Sequence, residues 1–534
     1  MAATAAEQVG FRNQMRARWR SLTEHQRWAI TIGGELVLTL IGFGFDHALG
    51  YGLAVLFTVL WCRRMPPLPW RLATEAAVVA IFLIAWAAGS ANGSIAAVLA
   101  VCFAVTWIPE RRRGWGLPVA LVFIAIAYPF VVQRLFQIPV FGAFPDVPTG
   151  IYMIVFMMMA VGLNIVVGYA GLLDLGYVAF YAIGAYTTGW FASGQFAGQK
   201  CSNPKFGIDN CPGAVVPRHS FNFGGVGVPV GTGGIHLSIF LVLLIAGVIT
   251  AAFGILIGLP TLRLRGDYLA IVTLGFGEIL PQIARNGDSL GGFNLTNGAN
   301  GITPTDTPGF GHDLSNVTGG FLPDSYLTCC RRSLFGHQIT SYDVFFWTAI
   351  ILLAFTVFCS LRLRSSRLGR AWIAIREDET AAAAMGIPLM RTKTWAYAGG
   401  AFFGGVAGAY YGSQKSGVFY QDFYFNISVF VLCMVILGGM GNVWGVLAGA
   451  AFLAYLNKFG LGNIGAWINA NIHVGSHHPH IDVPLYASGI YGLIIVLVML
   501  LRPEGLIPSK RRARELHEAE PHDQPLYDLQ HEGA

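Results

Sequence analysis

The residues of this chain that could do chemistry are sparse, and their spacing is not that of a catalytic site. The 534 residues contain no glycine-rich loop ending in Gly-Lys-Ser/Thr, no His-Glu-x-x-His and no paired Cys-x-x-Cys, the patterns that hold nucleotide phosphates or catalytic metals. We therefore expect that the protein is not an enzyme and that this chain carries no cofactor. If ATP drives its activity, other subunits must hydrolyse the ATP.

Three polar residues stand inside long apolar segments, namely Asn164, Asp174 and Glu278. Ionisable and amide side chains are rare in such segments and often line a transport path. Asp174 could contact a ligand ammonium group or line a polar path, or it could lie in a turn between two spans. Glu278 has a similar alternative, since it could instead pair with Arg285.

Glycine clusters interrupt two of the apolar segments. One cluster surrounds Asp174, and the other is the run LGGMG at 437–441. Glycines at these places favour unwound turns, which a membrane tolerates only where protein or a water-filled cavity surrounds them. The two breaks could be corresponding elements of two halves of the chain. The candidate translocation path comprises Asn164, Gly171, Asp174, Gly176, Glu278, Gly438, Gly439 and Gly441.

A further glycine pattern repeats every fourth residue at Gly400, Gly404, Gly408 and Gly412. Small residues on one helical face let two helices approach closely, and such packing drives helix association in lipid. The pattern predicts a close contact, either within the chain, or with a second subunit, or at a sliding gate.

The charged segment 368–387 lies between apolar runs and predicts a short helix on the cytoplasmic face. The acidic residues 377–379 suit a helix amino terminus, and Gly386 marks a stop. The alternative is an ordinary positively charged loop. If the helix touches a soluble partner, the contact residues are Arg370, Arg376, Glu377, Asp378, Glu379, Ala381, Ala382 and Gly386.

Membrane-spanning helices must position these residues, because 54% of the chain is hydrophobic and only 12% is charged. A bilayer core about 30 Å thick needs roughly 20 apolar helical residues to cross it. We expect an all-α fold, a polytopic integral membrane helical bundle with about 11–14 spans, some of them broken or re-entrant. From residue 150 onward, the candidate spans are 150–170, 172–192, 235–259, 268–284, 342–361, 395–411, 424–437, 442–456 and 485–501.

Basic residues orient these spans, because positively charged loops stay on the cytoplasmic side. With the amino terminus inside, the clusters at 63–64, 111–113, 263–265, 362–394 and 510–514 all lie inside. We therefore expect a multi-pass plasma-membrane protein with both termini in the cytoplasm. The same alternation places 193–234, 286–341 and 458–484 outside.

The outer loops carry two further candidate features. Cys201 and Cys211 fall in one outer loop, where an oxidising compartment would permit a disulfide, and unpaired thiols are the alternative. The segment 471–482 holds four histidines, but no helical or Cys/His spacing organises them. We expect a solvated loop there and no metal site.

Composition divides the chain into four regions. Residues 1–27 form a polar cytoplasmic arm, and residues 28–149 form an amino-terminal membrane region. Residues 150–508 form a second membrane region, with a charged loop at 362–394. Residues 509–534 have the composition of a disordered cytoplasmic tail.

Six motifs in order resemble one family, the branched-chain amino acid ABC transporter permeases of the LivM type. They are GLNIVVGYAGLLDLGYVAFYAIGAY from residue 162, RLRGDYLAIVTLGFGEI from 263, LTNGANGI from 295, LGRAWIAIREDETAAAAMGI from 368, LGGMG from 437 and RPEGLIP from 502. Thr380, Ala381, Ala382 and Gly386 also resemble the x-Ala-Ala-x-x-x-Gly core of the coupling loop in ABC importer permeases, with Thr380 where that motif often has Glu.

The resemblance implies a bacterial inner-membrane subunit of an ATP-driven importer that moves its substrate by alternating access. It also implies that residues 150–508 are the importer's permease domain and that 362–394 is its coupling loop. Its partners would be a LivH-like second permease, two ATP-binding subunits, a periplasmic substrate-binding protein, a small-molecule substrate and the lipid bilayer, with no nucleic acid. The substrate could be a branched-chain amino acid, another amino acid or a small amide. The alternative is a stand-alone secondary transporter or channel driven by an ion gradient, which leaves the charged helix unexplained.

Overall fold

The computed structural model describes residues 128–130, 132, 145–196, 221–226, 234–261, 267–289, 293–319, 322–327, 333–334, 337–471, 482–501 and 505–506. Helices make up nearly all of their secondary structure, which confirms the all-α class. The amino-terminal regions, the Cys201–Cys211 pair, the histidine-rich loop and the carboxyl-terminal tail lie wholly or almost wholly outside these residues.

Thirteen α-helices follow one another in the described part of the chain from residue 145 onward. They are α1 (Val147–Leu163), α2 (Val178–Phe191), α3 (Ile239–Thr261), α4 (Asp267–Arg285), α5 (Gly311–Val317), α6 (Ser341–Ser365), α7 (Arg367–Glu377), α8 (Glu379–Ala384), α9 (Leu389–Gln414), α10 (Phe425–Gly438), α11 (Val443–Tyr455), α12 (Leu461–Asn471) and α13 (Ala487–Leu501). The short strands are β1 (Ala192–Ser193), β2 (Phe221–Phe223), β3 (Ile235–Leu237), β4 (Ser333–Leu334) and β5 (His337–Gln338).

Four helical segments among the described residues are long and apolar enough to cross a membrane. They are Val147–Tyr169, Ile239–Pro260, Ser341–Ser365 and Val443–Asn469. Shorter apolar helices lie at Phe425–Gly438 and Val483–Val498. The polytopic membrane character is therefore confirmed. The total of about 11–14 spans includes segments that the structure does not describe, so that number stays a prediction.

Helix α9 is the centre of the bundle and packs along α1, α2 and α3. Its glycines and alanines leave room for the neighbouring backbones, and Ala401, Ala407 and Tyr410 are fully buried. Close packing of this kind supplies the attraction between helices in lipid, where burial of apolar surface adds little.

The two ends of the bundle differ. At the strand end, which we define by β1, β3 and Asp306, β1 pairs with β3 and the Asp306 N–H donates to the Ala192 carbonyl at 2.7 Å. At the opposite end, which we call the Arg376 end, lie the last turn of α1, helices α7 and α8, and the turn between α10 and α11. Asn457 donates to Tyr152 at 3.0 Å near the strand end, so α11 crosses back from the Arg376 end.

The structure corrects the predicted span 172–192. Residues 170–177 are irregular and α2 begins only at Val178. Gly171 has a φ of 71°, in the left-handed region that favours glycine. A side chain at Gly176 would overlap the Thr273 carbonyl. The chain therefore passes through the bundle here as an extended loop and then a short helix.

Three further boundaries were wrong. The predicted span 235–259 begins as strand β3, because residues 235–236 pair with β1, and α3 starts at Ile239. The predicted outer loop 458–484 begins as helix, since a π-helical turn at Leu456–Gly460 continues α11 into α12. The charged segment 368–387, for which the sequence predicts one short helix, contains two helices, α7 and α8, because Asp378 between them is extended.

Candidate functional site

Helix α7 is held against the bundle by one aromatic side chain. Trp372 is 1% exposed, and its Nε1 donates to the Thr392 carbonyl in α9 at 2.8 Å. Ser366 caps the helix by accepting from the Gly369 N–H at 3.1 Å. With Trp372 buried, Arg370 and Glu377 are exposed on the outer face, where a partner could reach them.

Asp378 ends α7 and begins α8. Its Oδ1 accepts from the N–H groups of Thr380 at 2.8 Å and Ala381 at 3.0 Å, and from the Thr380 hydroxyl. The hydroxyl and these two N–H groups lower the pKa of the Asp378 carboxyl, because they stabilise its charged form. Thr380, which stands where Glu is common in the coupling-loop motif, thus contributes to the cap.

Helix α8 ends in a Schellman motif at Gly386. The Gly386 N–H donates to the Ala383 carbonyl at 2.9 Å, and the Ile387 N–H donates to the Ala382 carbonyl at 3.1 Å. Gly386 has a φ of 81°, and a Cβ there would meet nothing within 4 Å. Backbone conformation is therefore what favours glycine at this position.

The surface of α8 is small and apolar, and the helix is anchored by an ion pair. Ala381 and Gly386 are exposed, and Met385 is 83% exposed. Glu379 accepts from Lys393 of α9 at 2.7 Å. The Lys393 side chain is 6% exposed and the Glu379 side chain is 38% exposed. Ala382 lies on the buried side of α8. Of the predicted contact residues, Glu379 and Ala382 therefore hold the helix in place.

Arg376 joins α7 to both glycine breaks. Its Nη1 donates to the Gly168 carbonyl. A Cβ at Gly171 would lie 2.8 Å from Arg376 Cγ, and a Cβ at Gly441 would lie 3.2 Å from Arg376 Nη1. Glycine at both positions therefore lets the arginine side chain pass between the two segments.

The two breaks also touch each other through Asn164. The Asn164 Oδ1 accepts from the Gly441 N–H at 2.9 Å, and the residue is fully buried. Asn164 starts a π-helical segment, Asn164–Tyr169, at the end of α1, and a side chain at Gly168 would overlap its amide. π-Helical turns often occur at functional sites, and this one presents the amide to the second break.

Two residues of the motif RPEGLIP, Gly505 and Leu506, pack against the second break. The Leu506 N–H donates to the Leu437 carbonyl at 2.9 Å, and Gly505 packs against Gly439. Gly439 has a φ of 109°, and a side chain at Gly438 would overlap the Gly445 carbonyl. Several predicted path residues, Asn164, Gly171, Gly438, Gly439 and Gly441, therefore meet at one junction with Arg376.

Asp174 and Gly176 form a second cluster beside this junction. Asp174 is 1% exposed, and its Oδ1 accepts from the Gly176 N–H at 2.9 Å. Its Oδ2 and the Tyr397 hydroxyl have no hydrogen-bond partner in the described structure. Both residues line a cavity of about 10 Å³ together with Thr273, a volume that accommodates about one water molecule.

Glu278 lies apart from both clusters. It is exposed on α4, and no described residue forms a salt bridge with it. Arg285, its predicted alternative partner, instead lies over the Tyr420 ring at 5.9 Å. Because Glu278 and Arg285 are almost two turns apart on one helix, the pairing that the sequence suggested does not form.

The glycines at every fourth position of α9 pack against other segments of the same chain. A Cβ at Gly404 would lie 3.1 Å from the Tyr177 ring, and a Cβ at Gly412 would lie 3.1 Å from Val418. A side chain at Gly408 would overlap the Tyr181 carbonyl, and one at Gly400 would lie 2.5 Å from Val166. This face is therefore filled by helices of the same chain and is not available to another subunit.

Three functional residues were not predicted from the sequence. Trp372 anchors α7, Lys393 pairs with Glu379, and Tyr397 lines the same cavity as Asp174. Trp372 is a single aromatic residue in the charged segment, and Tyr397 has the pattern of an ordinary aromatic residue in an apolar span. Lys393 lies just before the predicted span 395–411, where a basic residue is usual, and nothing in the spacing pairs it with Glu379.

Comparison with known proteins gives a consistent result. The family model described as "Branched-chain amino acid transport system / permease component" matches residues 149–499. The chain is 34% identical to the high-affinity branched-chain amino acid transport system permease protein LivM of Salmonella typhimurium over 73% of this chain and 74% of the relative, and 34% identical to that of Escherichia coli over 74% and 75%. It is 27% identical to the permease protein LivH of Salmonella typhimurium over 32% of this chain and 49% of that protein. No solved structure matches the chain.

Proposed function

The chain belongs to the family of branched-chain amino acid transport permeases, and from this membership we propose that it is one membrane subunit of an ATP-driven importer. Its substrate in this proposal is a branched-chain amino acid, because that is what the names of the LivM relatives state. A LivH-like permease, two ATP-binding subunits and a periplasmic substrate-binding protein complete the transporter. This chain makes and breaks no covalent bond.

The observation that carries the proposal is the position of Arg376. The side chain extends from a charged surface helix to the Gly168 carbonyl, between two unwound glycine segments. Arg376 therefore provides a direct mechanical connection between a surface that a soluble subunit can reach and the interior of the bundle.

The orientation follows from charge. Arg362, Arg364, Arg367, Arg370 and Arg391 are all at the Arg376 end, and basic residues are retained on the cytoplasmic side. The Arg376 end then faces the ATP-binding subunits in the cytoplasm, and the strand end faces the substrate-binding protein. Both chain termini lie in the cytoplasm in this arrangement of the inner-membrane protein.

Coupling in this proposal proceeds by displacement of α7 and α8 together. The ATP-binding subunits press on the exposed surface at Ala381, Met385 and Gly386. The two helices are tied to α9 by Trp372 and Lys393, so they and the inner end of α9 respond as a unit. Arg376 passes the displacement to both breaks, which alternately open the path to the two sides.

The test is reconstitution into vesicles. The purified complex with its loaded binding protein should take up labelled leucine, isoleucine or valine only when ATP is supplied to the ATP-binding subunits. This chain alone should transport none of them under an imposed proton or sodium gradient. Gradient-driven uptake by the isolated chain, lost in Asp174→Asn or Glu278→Gln, would overturn the proposal in favour of a secondary transporter.

A further inference from the structure

Helix α4 differs from α3 and α6 because polar side chains are exposed in the middle of its outer face. The outward side chains in the middle of α3 and α6 are apolar, for example Val248 at 58% exposure and Ile351 at 68%. On α4, Ile271 and Ile279 are exposed at 62% and 53%, but Glu278 and Gln282 are exposed beside them. The lipid-facing pattern of α3 and α6 is therefore broken on α4.

Helix α4 crosses the same layer as α3. Helix α3 leaves the strand end directly after β3, and α4 returns to it, where the Thr296 hydroxyl donates to the Ala284 carbonyl at 2.6 Å. The 19 residues of α4 span about 28 Å at about 1.5 Å per residue, close to the thickness of a bilayer core. Glu278 lies a little past the middle of the helix.

A carboxylate at that depth is costly in hydrocarbon. The side chain is also too short to reach either interface from the middle of the helix, and no described residue of this chain neutralises it. The outer face of α4 is therefore covered by something other than lipid in the working protein.

We propose that the face formed by Ile271, Gly275, Glu278, Ile279 and Gln282, hereafter the α4 face, binds a helix of the second permease subunit. The spacing places these residues on one stripe of the helix. A Cβ at Gly275 would meet nothing within 4 Å, so the backbone there is open to close approach by another helix. Small residues and hydrogen-bonding side chains are what membrane helix contacts use, and this combination favours a helix over lipid or a free passage.

The kind of partner is indicated by the comparisons, and the proposal rests on the function proposed above. The chain is 27% identical over 175 residues to a LivH permease, so the expected second subunit shares part of its sequence pattern. We expect the second subunit to place a hydrogen-bond donor or a cationic side chain opposite Glu278, because the contact would bury the Glu278 carboxylate and a buried carboxylate needs such a partner.

The opposite side of α4 connects this contact to the candidate site. Thr273 accepts from the Leu175 N–H at 3.1 Å, and a Cβ at Gly277 would lie 3.3 Å from Gly176 Cα. A movement of the second subunit against the α4 face therefore reaches the loop that holds Asp174.

The first experiment is photocross-linking in the complete transporter in vesicles. Benzoylphenylalanine is placed at Ile279 on the α4 face and, as a matched control, at Val248 on α3. We expect Ile279 to cross-link to the second permease subunit, identified by mass spectrometry, and Val248 to cross-link only to lipid. Equal yields at the two positions, or no protein cross-link at Ile279 in an intact complex, would overturn the proposal.

The second experiment measures how substitutions at Glu278 change copurification of the second permease subunit. If the α4 face contacts the second subunit, Glu278→Leu should reduce copurification of that subunit at least several-fold while this chain remains inserted, and Glu278→Gln should reduce it less. A lipid-facing helix predicts unchanged or higher recovery of the complex. If the α4 face instead lines a solute passage, copurification should be complete and uptake should be lost. Unchanged copurification in either case would reject the contact.

These outcomes are separable from failure of the proposed function. Wild-type complex that cross-links at Ile279 but shows no ATP-dependent uptake would reject the importer and keep the contact. Wild-type complex that transports but gives no protein cross-link at Ile279 would reject the contact and keep the importer.

Discussion

The Asn164 side chain accepts a hydrogen bond from the Gly441 N–H at 2.9 Å, across 277 positions of sequence. This bond joins the π-helical end of α1 to the turn between α10 and α11. Arg376 contacts both segments at the same place. The two unwound segments are thus held as one unit that a single surface helix can move.

The first prediction concerns Arg376. Arg376→Ala removes a hydrogen bond from a charged donor, which contributes about 1.5–3 kcal/mol, while Trp372 still anchors α7. We expect the ATP-binding subunits to remain bound and to hydrolyse ATP, but the number of substrate molecules transported per ATP should fall about tenfold or more. The measurement is uptake and ATP hydrolysis in the same vesicles.

Arg370→Ala is the matched control on the same helix. Arg370 is exposed and donates to the Ser365 carbonyl at 3.0 Å in the adjoining turn. We expect this variant to leave the transport-to-hydrolysis ratio unchanged. If both variants lower that ratio equally, Arg376 has no special role in coupling.

The second prediction concerns the pH dependence of the Asp378 cap. Its pKa is lowered in the folded protein by the Thr380 hydroxyl and by the Ala381 and Thr380 N–H groups. A lowered pKa means that the charged cap stabilises α8 at neutral pH, and that this stabilisation is lost as the pH falls through the folded-state pKa of Asp378. Hydrogen exchange at Thr380 and Ala381 should show protection that is constant from pH 8 to 6 and lost in acid, after correction for intrinsic rates.

Asp378→Asn provides the control for this cap. An asparagine cap has no titrating group and retains the side-chain acceptor, so its protection should not show the acid loss. An identical acid loss in the Asp378→Asn variant would mean that another group controls the helix.

The third prediction concerns close packing on α9. A methyl group at Gly408 would overlap the Tyr181 carbonyl, and overpacking costs typically about 1–3 kcal/mol. Gly408→Ala should therefore lower the thermal unfolding temperature in detergent. At Gly399 on the same helix, the nearest atom to an added Cβ is 3.8 Å away. Gly399→Ala should be neutral or slightly stabilising because alanine favours helix by about 1 kcal/mol; equal shifts for both variants would contradict the contact.

The fourth prediction concerns the ion pair beneath α8. Glu379→Lys places a second ammonium group beside buried Lys393, so α8 should detach from α9 and recovery of the ATP-binding subunits should fall several-fold. The exchange Glu379→Lys with Lys393→Glu restores opposite charges and should recover most of the loss. If the double variant is no better than the single one, Glu379 acts through the partner surface and not through Lys393.

Within the described residues, the sequence predicted most of the long helices and both glycine breaks, because apolar runs and glycine clusters are local signals. The charged segment and the stop at Gly386 were also readable, since capping residues act within one turn. The interruption at Asp378 was missed because its acidic neighbours read as one helix start.

Contacts between residues far apart in the chain could not be predicted from the sequence. Nothing in the spacing predicts that Asn164 meets Gly441, or that His236 lies 2.9 Å from Asp306 at the strand end. The segment 235–237 looked like the start of a span because its apolar pattern continues into α3. It forms a strand because β1 and β2 are available to pair with it.

The central position of α9 also sets the order in which the protein can be assembled during synthesis. Helices α1, α2 and α3 are made before α9 emerges from the ribosome, yet all three pack along that later helix. Until residues 389–414 enter the bilayer, the seam that α9 will fill stays open to lipid or to an insertion factor. Final compaction of the earlier helices is therefore a late event in the biogenesis of this chain.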